Sequence, residues 1–327
     1  MKKKNLLADS SYELMLIVIL ACWFMFMGAK MPNFVSMNNL VTVLTRLSDV
    51  AIISIGMTIV IIAGGFDLAV GTTMAFIPAV IGILYGKGIP FAACVSLGFI
   101  LALALGLLNG VLITKAKIQP MIGTLATMTA FRSITYVITN GMPVRTLPKG
   151  YEIVSYGKIG GVFPIPIAIL IVVAILAVWI MNHTVFGRFV YAVGGNKEAA
   201  KISGVNVDRV IIFTYVVSSV LSSLAGMIYA SRTISVSPEA GSTTNFDVVT
   251  AVLLGGTSIQ GGKGKIQGTL IGVIILNFIV NGFNLLGINA YWQKIFMGAV
   301  LLAAVGFDSL KGRYGIRRSK RKAIRPA

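Results

Sequence analysis

One histidine and two cysteines in 327 residues leave little with which to do catalysis. His183 alone cannot build a His-based proton relay or a metal cluster. Cys22 and Cys94 fall in separate apolar segments with no metal-ligand or redox spacing, so both read as packing residues. Charge is scarce as well, at 12% of residues against about 25% in a soluble domain. A phosphate loop is also missing. In the glycine-rich run 255–265, neither Gly262-Lys263 nor Gly264-Lys265 has a Gly five positions earlier or a following Ser or Thr. These absences exclude a His- or metal-dependent membrane enzyme and ATP binding by that route.

What is present is oil. Hydrophobic residues make up 56% of the chain and mean hydropathy is +0.89, which predicts an all-α, polytopic membrane protein. The apolar segments number ten: 14–28, two spans within 47–85 split at Gly64-Gly65-Phe66-Asp67, then 89–113, 119–139, 165–181, 210–230, the short 246–257, 268–286 and 292–307. Residues 1–13 read as a cytoplasmic N-terminus, 14–307 as the membrane domain and 308–327 as a basic cytoplasmic tail.

The net charge of +18 does not point to nucleic acid, because its placement follows the positive-inside bias. One side collects the N-terminal lysines, Lys115, Lys117, Arg188, Lys197, Lys201, Arg209, Lys263, Lys265 and the tail from Lys311 to Arg325. The other side holds Lys30, Lys87, Arg145, Lys149, Lys158 and Arg232. Both termini are therefore expected inside, with the tail solvated beside membrane lipid.

Between two spans lies a polar island, residues 183–209, also expected in the cytoplasm. Within it, Asn196 to Gly204 reads as one short helix, capped by the Asn196 side chain and ended by Gly204 in the left-handed conformation. About two turns of helix are not stable alone in water, so this one must dock. Lys197, Glu198 and Lys201 are expected on its polar face, and Ala199, Ala200 and Ile202 on its packed face.

Few polar residues interrupt the spans. Asp67, beside Gly64-Gly65 and Gly71, reads either as a site on a transport path or as the cap of the helix that begins at Leu68. Arg132 either faces a wet cavity with Thr124, Thr127 and Thr129 or pairs with Asp67. Asn109, Asn277, Asn281 and Asn284 suit a hydroxyl-rich solute or interhelical hydrogen bonds equally. Phe66-Asp67-Leu68 recurs as Phe246-Asp247-Val248, and Leu108-Asn109-Gly110 as Val280-Asn281-Gly282. In the expected topology matching halves would be inverted repeats, a common transporter build.

Four blocks carry a family resemblance: GMTIVIIAGGFDLAVG (56–71), GRFVYAVGGNKEAAKISGVNV (187–207), VLLGGTSIQGGKGKIQGTLIG (252–272) and NGFNLLGI (281–288). In that order they resemble the permease subunits of bacterial monosaccharide ABC importers of the ribose type. The chain departs from the family pattern at Phe66, Ala69, Ser133 and Asn245. The resemblance implies a ten-span permease of the inner membrane, in a homodimer or heterodimer. It also implies cytoplasmic ATPase subunits that hold ATP and Mg, a periplasmic or lipid-anchored sugar-binding protein, and no cofactor on this chain. The family's coupling element maps onto Gly195, Asn196, Lys197, Glu198, Ala199, Ala200, Lys201 and Gly204. The path or gate is expected at Asp67, Asn109, Arg132, Asp247 and Asn281. The competing reading is a stand-alone secondary transporter with Asp67 as its proton or cation site.

Overall fold

The computed structural model describes the backbone of residues 2–323 and the side chains of residues 14–306. The N-terminal lysines and the basic tail read above as cytoplasmic lie outside the described side chains. The chain forms α1 (Lys2–Lys30), a 3-10 turn (Pro32–Val35), α2 (Met37–Ile62), α3 (Val70–Gly86), α4 (Phe91–Thr114) and α5 (Pro120–Thr139). A short α6 (Ile153–Tyr156) and a two-stranded hairpin of β1 (Lys158–Ile159) and β2 (Phe163–Pro164) follow. Then come α7 (Ile165–His183), α8 (Val185–Gly195), α9 (Lys197–Ile202), α10 (Val207–Thr233), α11 (Thr244–Leu254), α12 (Ile266–Leu285) and α13 (Ala290–Ala323).

Each apolar segment is helical, as it must be where no water satisfies the backbone. Among the described residues, six helices, α2, α4, α5, α7, α10 and α12, are long and apolar enough to cross a bilayer. Leu14–Lys30 of α1, α3, α11 and Ala290–Gly306 of α13 are shorter apolar helices.

At the centre stands α10, packed against α2, α3 and α4. Small residues let it approach them. Ser218, Ser219, Ser222 and Ser223 are all buried, and Gly110 of α4 lies so close that a Cβ there would sit 2.7 Å from the Ile212 Cα. With lipid outside as apolar as any side chain, such close contacts and hydrogen bonds hold the bundle. The Ser219 hydroxyl donates to the Ala102 carbonyl of α4 at 2.7 Å.

Two connections differ from the sequence reading. First, α2 begins at Met37, ten residues before the span expected from residue 47. Ser36 caps it, and Asn39 turns its amide inward to Asn281 of α12. Second, residues 231–244, read as an external loop, continue α10 to Thr233 and then fold inward. Val236 is fully buried and pairs with Val144, and Gly241 meets Gly71 at the start of α3, backbone against backbone. A Cβ on either glycine would overlap the other's carbonyl. The helices α3 and α11 are short because both start at this internal meeting point. The loop 140–161 is also docked: Tyr151 and Ser155 donate to the Met227 and Ile228 carbonyls of α10, at 2.9 and 2.8 Å.

Candidate functional site: the island and the broken helix

The island folds as two helices in series, α8 and α9. The Asn196 Oδ1 accepts the Ala199 N–H at 3.0 Å, and Gly204 has φ +82°, so the expected cap and stop are both present. Lys197, Glu198 and Lys201 are exposed, as expected. The packed face is not as expected. Ala200 is 5% exposed and joins Val190, Val193 and Val205 in the core, but Ala199 is exposed and Ile202 is 86% exposed. A six-residue helix presents one inward position, and two residues on from Ala200 the side chain is turned by about 200°. Ile202 is therefore an apolar side chain held out at the island's tip.

The end of α8 rests directly on the end of α2. A Cβ at Gly194 would land inside the Ile62 carbonyl oxygen and 2.6 Å from the Gly262 nitrogen. The Gly262 N–H donates to that same Ile62 carbonyl at 2.8 Å, and Gly261 lies against Gly64. Three stretches of chain thus meet through bare backbone: the end of α2, the end of α8 and the turn before α12. Side chains could flex at such a contact; backbones cannot. Gly195, one residue on, has nothing within 4 Å of where a Cβ would be.

Past Gly64 the chain is broken over residues 63–69, and each turn of the break is held. The Tyr215 hydroxyl accepts the Phe66 N–H at 3.0 Å and donates to the Phe66 carbonyl at 3.1 Å. Thr124 Oγ1 of α5 accepts the Leu68 N–H at 3.1 Å. Asp67 Oδ1 accepts the Ala69 N–H at 3.0 Å, and Oδ2 accepts the Ser218 hydroxyl at 2.8 Å. Asp67 is 2% exposed, so it caps the approach to α3 and pins it to α10. Tyr215→Phe would strand the Phe66 N–H, while the Phe66 carbonyl keeps the Thr124 hydroxyl at 3.1 Å, at a cost of about 1–3 kcal/mol. The expected result is a lower thermal unfolding midpoint in detergent; an unchanged midpoint would show that the hydroxyl holds nothing.

Asp67 and Arg132 do not pair, contrary to one expectation. Arg132 Nη1 instead donates to the Pro238 and Ala240 carbonyls, each at 2.6 Å, and Tyr136 bonds Glu239. These side chains latch α5 to the inward-folded segment. Asn281 and Asn39 exchange amide hydrogen bonds at 2.9 and 3.0 Å, a tie between α12 and α2. Asn109 is buried in α4 with its Oδ1 unpartnered among the described residues. Asp247 lies half-buried in the first turn of α11, where Asn245 reaches Met128 Sδ of α5 at 3.5 Å. A buried ionic contact also escapes the sequence reading. Asp49 of α2, its side chain 2% exposed, meets Arg232 at 2.6 Å, although Arg232 reads from sequence as a loop residue. The signal is Asp49 itself, since an acid inside a span demands a partner.

A family model described as "Branched-chain amino acid transport system / permease component" matches residues 39–305. The chain belongs to this permease family. Among similar permeases is the ribose import permease protein RbsC of Escherichia coli (strain K12), 39% identical over 315 residues, covering 95% of this chain and 94% of the relative. RbsC of Bacillus subtilis (strain 168) is 43% identical, covering 86% and 87%. The L-arabinose transport system permease protein AraH of Escherichia coli (strain K12) is 34% identical, covering 90% of each. No solved structure matches. Three of the four sequence blocks, 56–71, 187–207 and 252–272, are the stretches that meet at the glycine contact of this permease.

Proposed function

We propose that this permease forms the pore of an ATP-driven importer of a monosaccharide, ribose or a similar sugar. Its relatives' import of ribose and arabinose supports the substrate class. The observation that carries the mechanism is the seat of the island on the broken helix. With no phosphate loop of its own, the chain draws on a cytoplasmic ATPase subunit. Ile202, on the same exposed helix as Lys197, Glu198 and Lys201, is what α9 offers that partner. ATP-driven closure of the partner pushes α9, and α8 carries the push as a rigid body into Ile62 and Gly64. The break, the start of α3 and the turn before α12 then move together.

The reading places ten spans in the inner membrane with both termini and the island in the cytoplasm. Neighbour relations support two inverted halves, α2–α5 and α10–α13. Helix α4 lies on α10 as α12 lies on α2, and α3 on α10 as α11 on α2. The pairs α3–α4 and α3–α5 likewise match α11–α12 and α11–α13. The path runs along the open face of α5, where Thr129, Ser133 and Tyr136 share one side with the half-buried Arg132. A second permease faces it, and a periplasmic binding protein delivers the sugar. Asp67, Asn109 and Asn281, turned into the protomer, shape this path from behind; Asp247 borders it at the start of α11.

Ile202→Glu and Glu198→Arg, inserted normally, should lose co-purifying ATPase and most uptake of labelled ribose. Full uptake in both would end the coupling role of α9. Uptake that persists without any ATPase subunit and collapses with an uncoupler would instead mark a secondary carrier.

A further inference from the structure

At the cytoplasmic end of α7 lies an open cavity of about 580 Å³, lined in part by Asn182, Arg188, Tyr191, Lys265 and Gln267. Among the described residues its lining contains two cations and no carboxylate. Arg188 and Lys265 are exposed, and among the described residues Arg188 has no ion-pair partner. The first turn of α12, a helix of 20 residues, opens beside Lys265 and has no side-chain cap, so its backbone N–H groups add positive potential. All three features suit a phosphate, and Arg binds one in a bidentate fork.

A second hollow of about 370 Å³ adjoins the first, sharing Gln267 and reaching up α7 past Ala174, Ile175, Val178 and Trp179. It is almost wholly apolar, and Trp179 stands 56% exposed within it. From Asn182 to Ala174 the helix rises about 12 Å, enough to lead from headgroup depth into the acyl region. Helix α7 lies at the periphery of the bundle, with most of its surface open. A free phosphate would use only the first hollow, and an acidic protein loop would have no use for the second.

We propose that these adjoining hollows form a binding site for one anionic phospholipid of the cytoplasmic leaflet. Arg188 and Lys265 hold its phosphate, and one acyl chain lies along α7 against Trp179. Tyr191, which lines the cavity, donates to the Gly264 carbonyl at 2.9 Å. The lipid would thus brace α8 against the turn that also carries Gly262. The site rests on the proposed orientation, with α7 spanning the membrane and the island in the cytoplasm; it does not depend on the sugar or on the ATPase.

Native mass spectrometry of the purified full-length permease tests it, with phosphatidylglycerol, phosphatidylethanolamine or inorganic phosphate added. The expected result is one retained phosphatidylglycerol per protomer, bound about tenfold or more weakly by Arg188→Gln/Lys265→Gln. Phosphatidylethanolamine should be retained poorly, and millimolar phosphate should not displace the lipid. Equal retention by the double variant, or of the neutral lipid, overturns the proposal, as does displacement by phosphate or by an added ATPase subunit. A second measurement covers a variant that fails to fold. In Trp23→Phe/Trp292→Phe protein, phosphatidylglycerol with brominated tails should quench Trp179 more than brominated phosphatidylethanolamine does, and equal quenching counts against the site.

Discussion

Gly194→Ala should cut sugar uptake about tenfold or more, while Gly195→Ala, one residue on, stays within about twofold of the parent. Alanine is a better helix former than glycine, so propensity alone would favour both changes. Geometry separates them. At Gly194 the new methyl would occupy the space of the Ile62 carbonyl oxygen, and backbone cannot rotate away as a side chain can. The α8–α2 contact must open, breaking the Gly262 N–H to Ile62 hydrogen bond. Overpacking of this kind costs about 1–3 kcal/mol. At Gly195 the methyl meets open space. The useful readout is a pair: sugar uptake in vesicles, and ATPase retained on the permease after extraction. Loss of uptake with ATPase retained would place the defect in transmission rather than in docking. Normal uptake by Gly194→Ala would show that the interlock is not the route.

The second large effect is expected at the Asp49–Arg232 pair. Asp49 lies in α2 and Arg232 near the end of α10, the side chains 2% and 20% exposed, 2.6 Å apart. Arg232 also reaches the Arg46 carbonyl at 3.3 Å and stacks over the Tyr229 ring, 5.5 Å from its centroid. Removing either partner alone strands the other in a low-dielectric site, at a cost of about 3–5 kcal/mol. Arg232→Met should therefore lower the thermal unfolding midpoint sharply and reduce yield from the membrane. Asp49→Leu/Arg232→Met should recover most of the loss, because a buried ion pair is worth little more than a good apolar contact. A double variant as unstable as the worse single one would mean that the pair's charge itself is needed.

Much of this fold is legible in the sequence, for identifiable reasons. Long apolar runs admit one backbone solution in lipid, so the helices can be placed without any tertiary knowledge. The break at Gly64–Asp67 is visible because a carboxylate inside a span is costly, and paired glycines beside it free the backbone to turn and meet it. The Asn196 cap and the Gly204 stop are visible because capping is local. What stays hidden depends on residues far apart in sequence. Residues 234–243 are polar enough to pass for a surface loop, and the burial of Val236, Pro238 and Ala240 among them depends on distant residues, Val144, Arg132 and Gly71. Asn38-Asn39 likewise resembles a connection until Asn281 supplies a partner for Asn39. By the rule that apolar residues go inside, Ile202 belongs on the packed face. That rule takes no account of a surface that, under the proposed function, meets an ATPase subunit.

The buried pair also sets an order of events during synthesis. Asp49 and Arg232 are 183 residues apart, and Asp67 and Ser218 are 151 apart. At about 5–20 residues per second, α2 emerges from the ribosome roughly 10–40 s before its cationic partner exists. For that interval two carboxylates of the N-terminal half have neither the arginine nor the serine that will later hold them, and the central helix α10 has not been made. The half-built chain must wait, sheltered by the insertion machinery, until α10 arrives to close the bundle. Newly made permease is thus most open to membrane proteases before residue 233 is translated, and a nascent chain stalled after α5 should be degraded far faster than one stalled after α10.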